Sequence, residues 1–246
     1  MSRYCVQISW DEVAHLDEDA KRELFAAIPP YQRDARSRGI PVLGSGVIYP
    51  VPEAAYVVEP FDLPAWWPRA YALDVGWNRT AALWGAWDRE SDTIYLYSEH
   101  YRGQAEPSIH ADAIKVRGEW IWGAIDPGSA GSSQVDGRQL IEEYRKLGLS
   151  LTAAENTVEA GIHAVYRRLS GGRLKVFRSL SNTISELRIY RRDEKGKVVK
   201  ENDHLMDALR YLVMTGMQYA SVDPGPVEED WKTRDAERTR SAVTGY

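Results

Sequence analysis

The sequence predicts an α/β protein, a mixed β-sheet flanked by helices. Three observations lead there. From residue 69 onward, three apolar or alternating runs follow one another with short polar breaks, the pattern of a strand meander. After them, apolar runs alternate with amphipathic stretches, two of them closed by glycines. Two of the apolar runs end on an aspartate, Asp74 and Asp126, where neighbouring strands would bring the carboxylates to one edge of the sheet.

The elements follow in order. Residues 71–75, 81–87 and 93–101 read as the strands of the meander, with the polar turn Asp88-Arg89-Glu90-Ser91-Asp92 between the last two. Residues 107–116 read as a helix and 120–126 as a buried strand. Residues 137–147 are amphipathic, with Leu140, Ile141, Tyr144 and Leu147 on one face and Gly148 as the stop. A strand over 149–154, a helix over 158–169 ended by Gly171-Gly172, and a short strand over 174–177 come next. Residues 184–191 continue as a helix, 193–199 form a polar hairpin turning near Gly196, and 203–219 form the final helix.

Residues 1–60 read differently. An acidic helical stretch runs to about residue 28 and is stopped by Pro29-Pro30. A basic polar segment over 31–38 and an arm punctuated by glycine and proline come after it. The expected division is a connector or arm over 1–60, the sheet domain over 61–222, and a polar, flexible tail over 223–246.

The 246 residues, 43% of them apolar, suffice for a substantial core. No apolar run is long enough to span a bilayer, and Met1-Ser2-Arg3-Tyr4-Cys5 lacks the apolar centre of a secretory signal. The lone Cys5 excludes an internal disulfide and favours a reducing compartment. A net charge of −5 excludes a general basic coat for nucleic acid, but not a local basic stripe beside an acidic pocket.

Asp74 and Asp126 each have an ordinary reading, because Asp, Gly and Pro are common turn formers. Asp203 and Asp207 open the final helix, where an aspartate often does no more than cap free N–H groups. Four residues apart, those two share one helix face. Together the four would make a pocket that stays ionised only with cations, and hard, oxygen-ligated Mg²⁺ or Mn²⁺ is the natural occupant. Two such ions about 4 Å apart suit in-line hydrolysis of a phosphodiester. Zinc does not fit, since His and Cys do not cluster.

Three segments carry a further signal: Ala72-Leu73-Asp74-Val75-Gly76-Trp77, Trp122-Gly123-Ala124-Ile125-Asp126-Pro127, and Glu201-Asn202-Asp203-His204-Leu205-Met206-Asp207-Ala208-Leu209-Arg210-Tyr211. Together they resemble the nuclease domain of the large terminase subunit of tailed bacteriophages, over roughly residues 40–220. Gly44-Ser45-Gly46-Val47-Ile48-Tyr49-Pro50 is similar to the junction that precedes that domain. The resemblance implies a ribonuclease-H-like fold and a metal-dependent endonuclease that cuts double-stranded, concatemeric viral DNA during genome packaging. It implies Asp74 and Asp126 as metal ligands, with Asp203, Asp207 or both as the third acid, for two Mg²⁺ or Mn²⁺ ions. His204 would tune an ion or touch a phosphate, or be a plain solvated histidine.

The same resemblance implies a packaging ATPase domain as partner. The chain contains no Gly-x-x-x-x-Gly-Lys-Ser/Thr phosphate loop, so that domain is expected outside it, with residues 1–35 as its last part and the connector. The portal protein and the small terminase subunit are further implied partners, with no membrane, in the host cytoplasm and not as a stable virion component. Arg188, Arg191, Arg192, Lys195, Lys197 and Lys200 lead into the third acidic segment. They read either as a phosphate-gripping arm or as a solvated hairpin. Trp66, Trp67 and Trp77 are expected in the core rather than stacked on a ligand. Two other functions stay open: a Holliday-junction resolvase or transposase with the same acidic fold, and a catalytically inactive module that docks DNA or a partner. A metal titration separates the second from the enzymes.

Overall fold

The computed structural model describes residues 9–13, 16–27, 37–38, 46–130, 140–193 and 195–225. Its elements are α1 (Glu18–Ala27), α2 (Glu53–Tyr56), β1 (Val57–Val58), β2 (Arg69–Asp74), β3 (Thr80–Asp88), β4 (Thr93–Arg102), α3 (Pro107–Lys115), β5 (Trp122–Ile125), α4 (Leu140–Lys146), β6 (Leu151–Ala153), α5 (Val158–Ser170), β7 (Leu174–Phe177), α6 (Ser181–Ile189) and α7 (His204–Met214). The strands form one seven-stranded sheet in the order β1-β7-β4-β3-β2-β5-β6. The β2-β3-β4 meander is antiparallel, while β5 joins β2, β6 joins β5, β7 joins β4 and β1 joins β7 in parallel. This is the mixed, helix-flanked sheet that the strand order predicts.

Strand alternation sorts the two faces. In β2, Tyr71 and Leu73 pack with Trp84, Ile125, Ile114 and Tyr144 on the side of α3 and α4. Ala70 and Ala72, one residue out of phase, pack with Ala124, Leu205, Leu209 and Leu212 on the side of α5, α6 and α7. The second face is lined by alanines under the final helix, and short side chains let that helix lie close to the strands. Leu205, Met206, Ala208, Leu209, Tyr211 and Leu212 of α7 are all buried, as a central helix requires.

The structure departs from the sequence expectations in four places. Part of the segment read as an arm packs onto the sheet: Ile48, Tyr49, Tyr56 and Val57 are buried, and β1 pairs with β7. Two residues are too short a run for strand periodicity to register. Helix α6 starts at Ser181, three residues before its expected start, because the Glu99 carboxylate accepts from the Asn182 and Thr183 amides at 3.1 and 2.9 Å. The final helix stops at Met214; Thr215 leaves helical geometry, its Oγ1 accepts from Glu155 N at 2.9 Å, and a 3₁₀ turn follows. Trp67 stacks on Tyr95, but Trp66 and Trp77 are 72% and 64% exposed, so the expectation of a core role fails for these two.

The segment 31–36, Gly44-Ser45, Gly137, Glu194 of the hairpin and residues 226–246 of the tail lie outside the described residues. Among the described residues, no helix is long and apolar enough to cross a membrane.

Candidate functional site

Asp74 ends β2, and Asp126 follows β5. The two strands are parallel neighbours with Leu73 paired to Ile125, and the Asp126 amide donates to the Leu73 carbonyl at 2.9 Å. The acids therefore stand side by side at the C-terminal edge of the sheet. Alternation puts Asp74 on the face of Ala72, and Asp126 on the face of Ala124, so both turn toward α7. A Cβ at Gly128 would lie 2.7 Å from Asp126 Oδ2, so any side chain there would crowd this carboxylate.

Helix α7 answers with residues at i, i+3 and i+7: His204, Asp207 and Tyr211. His204 Nδ1 pairs with Asp74 Oδ2 at 2.9 Å, and the Tyr211 hydroxyl donates to Asp126 Oδ1 at 3.1 Å. Burial raises the Asp74 pKa; the His204 bond opposes this, and the charges of Asp207 and Asp126 add to it. The Asp74 contact in turn raises the pKa of His204 against its burial. With both partners raised, burial first and then neighbouring like charge disfavour the Asp74 carboxylate, while the imidazole favours its cationic form.

Asp203 and Asp207 differ in their surroundings. Asp207 Oδ1 accepts from Arg210 Nη2 at 2.7 Å, and its Oδ2 accepts from Lys200 Nζ at 2.8 Å. Asp203 precedes the helix, is buried, and has its Oδ2 3.0 Å from the same Lys200 Nζ, an ion pair without hydrogen-bond alignment. Burial works against the charge on Lys200, yet its contacts with Asp207 and Asp203 raise its pKa overall. Asp207 contributes to the field at Asp74 and Tyr211. Among the described residues, no three His, Cys, Asp or Glu side chains stand close enough together to hold a metal ion as they are oriented. Amine and guanidinium groups take both oxygens of Asp207, while an imidazole takes one oxygen of Asp74 and a hydroxyl one of Asp126.

Sequence reasoning missed four contributors. Arg210 is buried on α7 against Gly161 of α5 and grips Asp207, and Tyr211 holds Asp126; their offsets of three and four residues from Asp207 were the available signal. Asn156 sits between them, its Oδ1 3.4 Å from the Tyr211 hydroxyl. Glu186, on α6, accepts from the Leu205 and Met206 amides at 2.7 and 3.3 Å and so caps α7 from another helix. Burial pushes its pKa up to about 7, although the Tyr101 hydroxyl and the two amides oppose the shift. A buried glutamate between Ile184 and Leu187 was its only mark in the sequence.

The six basic residues divide. Arg188 forms a two-pronged pair with Glu53, Arg192 forms one with Glu159, and Lys200 is bound to the acids. Arg191, Lys195 and Lys197 are exposed and make no ion pair among the described residues.

The fold and the paired acids at adjacent strand ends define a ribonuclease-H-like domain. Residues 72–215, more than half of the chain, match the family model described as "Terminase RNaseH-like domain", and the chain belongs to that family. It is 33% identical over 228 residues to the large terminase subunit of Enterobacteria phage LP7, covering 87% of this chain and 46% of that one. The large subunit of Salmonella phage P22 is also 33% identical, with 44% of its length covered. The chain thus spans somewhat under half the length of these curated relatives. Among solved structures, the P22 large terminase nuclease domain superposes with a TM-score of 0.67 at 32% identity, covering 73% of this chain and 96% of that one. The nuclease domain of the g2p large terminase of phage SPP1, solved with bound Mn, shares the fold at TM-score 0.50 and 19% identity, covering 65% of this chain and 96% of that one.

Proposed function

We propose that this domain is a divalent-metal-dependent endonuclease that cuts double-stranded, concatemeric viral DNA during packaging. The observation that carries the reading is the juxtaposition of Asp74 and Asp126 on parallel neighbours, facing His204, Asp207 and Tyr211 of α7. Membership of the terminase family favours it over a resolvase or transposase.

The donor chemistry fits a hard cation: three carboxylates come from distinct elements, and the charges of Asp207 and Asp126 add to burial in raising the pKa of Asp74. Asp74, Asp126 and Asp207 would hold two Mg²⁺ or Mn²⁺ ions, with Asp203 as an additional acid beside Lys200. The chemistry such ions supply, when bound, is activation of a water and neutralisation of charge on the phosphate and departing oxygen. His204 orients Asp74, Tyr211 orients Asp126, and Arg210 fixes the rotamer of Asp207. Glu186 pins the first turn of α7, which carries His204 and Asp207. Arg191, Lys195 and Lys197 would grip phosphates, while Arg188 and Arg192 are committed to holding the fold.

The division kept in this reading is a connector, a nuclease unit to residue 222 and a tail over 223–246, with residues 46–58 counted with the sheet because Ile48, Tyr49, Tyr56 and Val57 pack in its core and β1 pairs with β7. In the complete packaging machine the partners would be double-stranded DNA, an ATPase domain, the portal protein and the small terminase subunit, in the host cytoplasm. The decisive experiment is plasmid nicking with Mn²⁺ or Mg²⁺ against EDTA. Cutting that persists in EDTA rules out the metal-dependent reading, and a chain that binds no divalent ion is a docking module.

A further inference from the structure

The turn that follows Asp74 is built with unusual care. Gly76, Trp77 and Asn78 connect β2 to β3 in the open. Yet the Thr80 hydroxyl donates to the Gly76 carbonyl at 3.1 Å, and the Gln104 amide donates to the Trp77 carbonyl at 2.8 Å. Gly103 presses on the turn so closely that a Cβ there would lie 2.0 Å from the Asn78 carbonyl oxygen. Gln104 makes its contact from the left-handed region, at φ 52°, a strained conformation for a residue with a side chain. A turn clamped from both sides holds its backbone in one conformation.

What it holds up is a bare indole. Trp77 is 64% exposed and makes no ring or cation contact among the described residues. Three residues of chain reach at most about 10 Å, so the ring stays near Asp74. Two guanidiniums share this end of the sheet. Arg79 lies 4.4 Å over the Tyr101 ring, Arg102 is exposed opposite Thr80, and neither makes an ion pair among the described residues. A free aromatic face near cations that carry no carboxylate partner is an arrangement that suits single-stranded nucleic acid: phosphates reach the cations and a base lies on the ring. In closed duplex each base face is covered by its neighbours, so an indole has a face to stack on only where the helix opens.

We propose that Trp77, at the same end of the sheet as Arg79 and Arg102, is a stacking platform for an unpaired base beside the cleavage site, so that this domain prefers locally opened DNA to fully paired DNA. The proposal rests on the nuclease reading for its ligand, but its test does not need cleavage. With Ca²⁺ in place of Mn²⁺ and at low salt, affinity is measured for a duplex with a short central bubble containing 2-aminopurine and for its fully paired counterpart. The parent chain should bind the bubble about fivefold or more tightly than the duplex and quench the 2-aminopurine. Trp77→Ala should bring the ratio close to one and lose the quenching, while Trp77→Phe should keep part of both. A parent without preference, or a Trp77→Ala variant with the parent's ratio, overturns the platform. Cleavage of paired plasmid with Mn²⁺ is run in parallel; a parent that cuts nothing yet shows the Trp77-dependent preference overturns the nuclease reading and leaves the platform standing.

Discussion

The Asp126 amide donates to the Leu73 carbonyl at 2.9 Å, one residue beyond the paired part of β2 and β5. That bond extends the ladder past the strand end and sets Asp126 beside Asp74 without a flexible loop between them. Both side chains inherit the direction of Ala72 and Ala124, two residues earlier. The site is therefore positioned by sheet register, and its cost is the repulsion of neighbouring carboxylates.

The first prediction follows from that cost. Asp74→Asn and Asp126→Asn should each lower Mn²⁺-dependent plasmid nicking by about 10²-fold or more, since each removes a designated cation donor. Neither should unfold the domain, because each relieves like-charge crowding. Thermal melts in EDTA check this: a clear drop in melting temperature would mean that activity was lost through misfolding.

Lys200 bridges Asp203 and Asp207 and so competes with a metal for Asp207. Lys200→Met should bind Mn²⁺ about fivefold more tightly without DNA, from the loss of one competing surface charge worth on the order of 1 kcal/mol. The same variant should be less stable in EDTA, where the acids lose their counterion. Calorimetric titration that gives equal or weaker Mn²⁺ affinity would show that Lys200 does not compete.

Glu186 makes a pH-dependent contribution whose sign can be worked out. Its pKa is about 7 in the fold against the ordinary 4.5. Between those values the folded chain holds a proton that the unfolded chain has released, so this contribution weakens as pH rises from about 4.5 to 7 and is level above. The full loss is about 3 kcal/mol. Glu186→Gln should leave stability at pH 4.5 little changed and raise it at pH 8, as read from urea midpoints in EDTA. Parallel pH profiles for parent and variant would place the carboxylate in a less buried setting.

Replacing Arg191, Lys195 and Lys197 with alanine should reduce the slope of log affinity against log salt by close to one for each phosphate that is no longer neutralised. Arg188→Ala should leave that slope almost intact, because its guanidinium is already spent on Glu53. Filter binding over a salt series distinguishes them. Equal slopes for the triple variant and the parent would leave the hairpin with no role in DNA binding.

Local pattern carried most of the fold. The three runs from residue 69 announced the meander, alternation announced the later strands, and two aspartates after apolar runs announced the edge of the site. The spacing of Asp203 and Asp207 showed that a single helix would bring two carboxylates to one face, while the roles of Arg210 and Tyr211 on the same helix went unread. Strand β1 escaped because two residues have no period. The end of α7 was read too late because Thr215 breaks the helix for a bond to Glu155, sixty residues away in sequence.

By itself the sequence determined the order of elements, the strand-end position of Asp74 and Asp126, and the helical face shared by Asp203 and Asp207, because all of these follow from spacing along one segment. Only the tertiary structure decided that β2 and β5 are parallel neighbours, that Tyr211 and His204 divide the two acids between them, and that Lys200 and Arg210 take the oxygens of Asp207. It alone separated Arg188 and Arg192, held in ion pairs, from Arg191, Lys195 and Lys197, and it turned Trp77 outward while burying Glu186. These outcomes depend on which surfaces meet across long stretches of chain. Packing and register choose among many partners that local periodicity leaves equivalent.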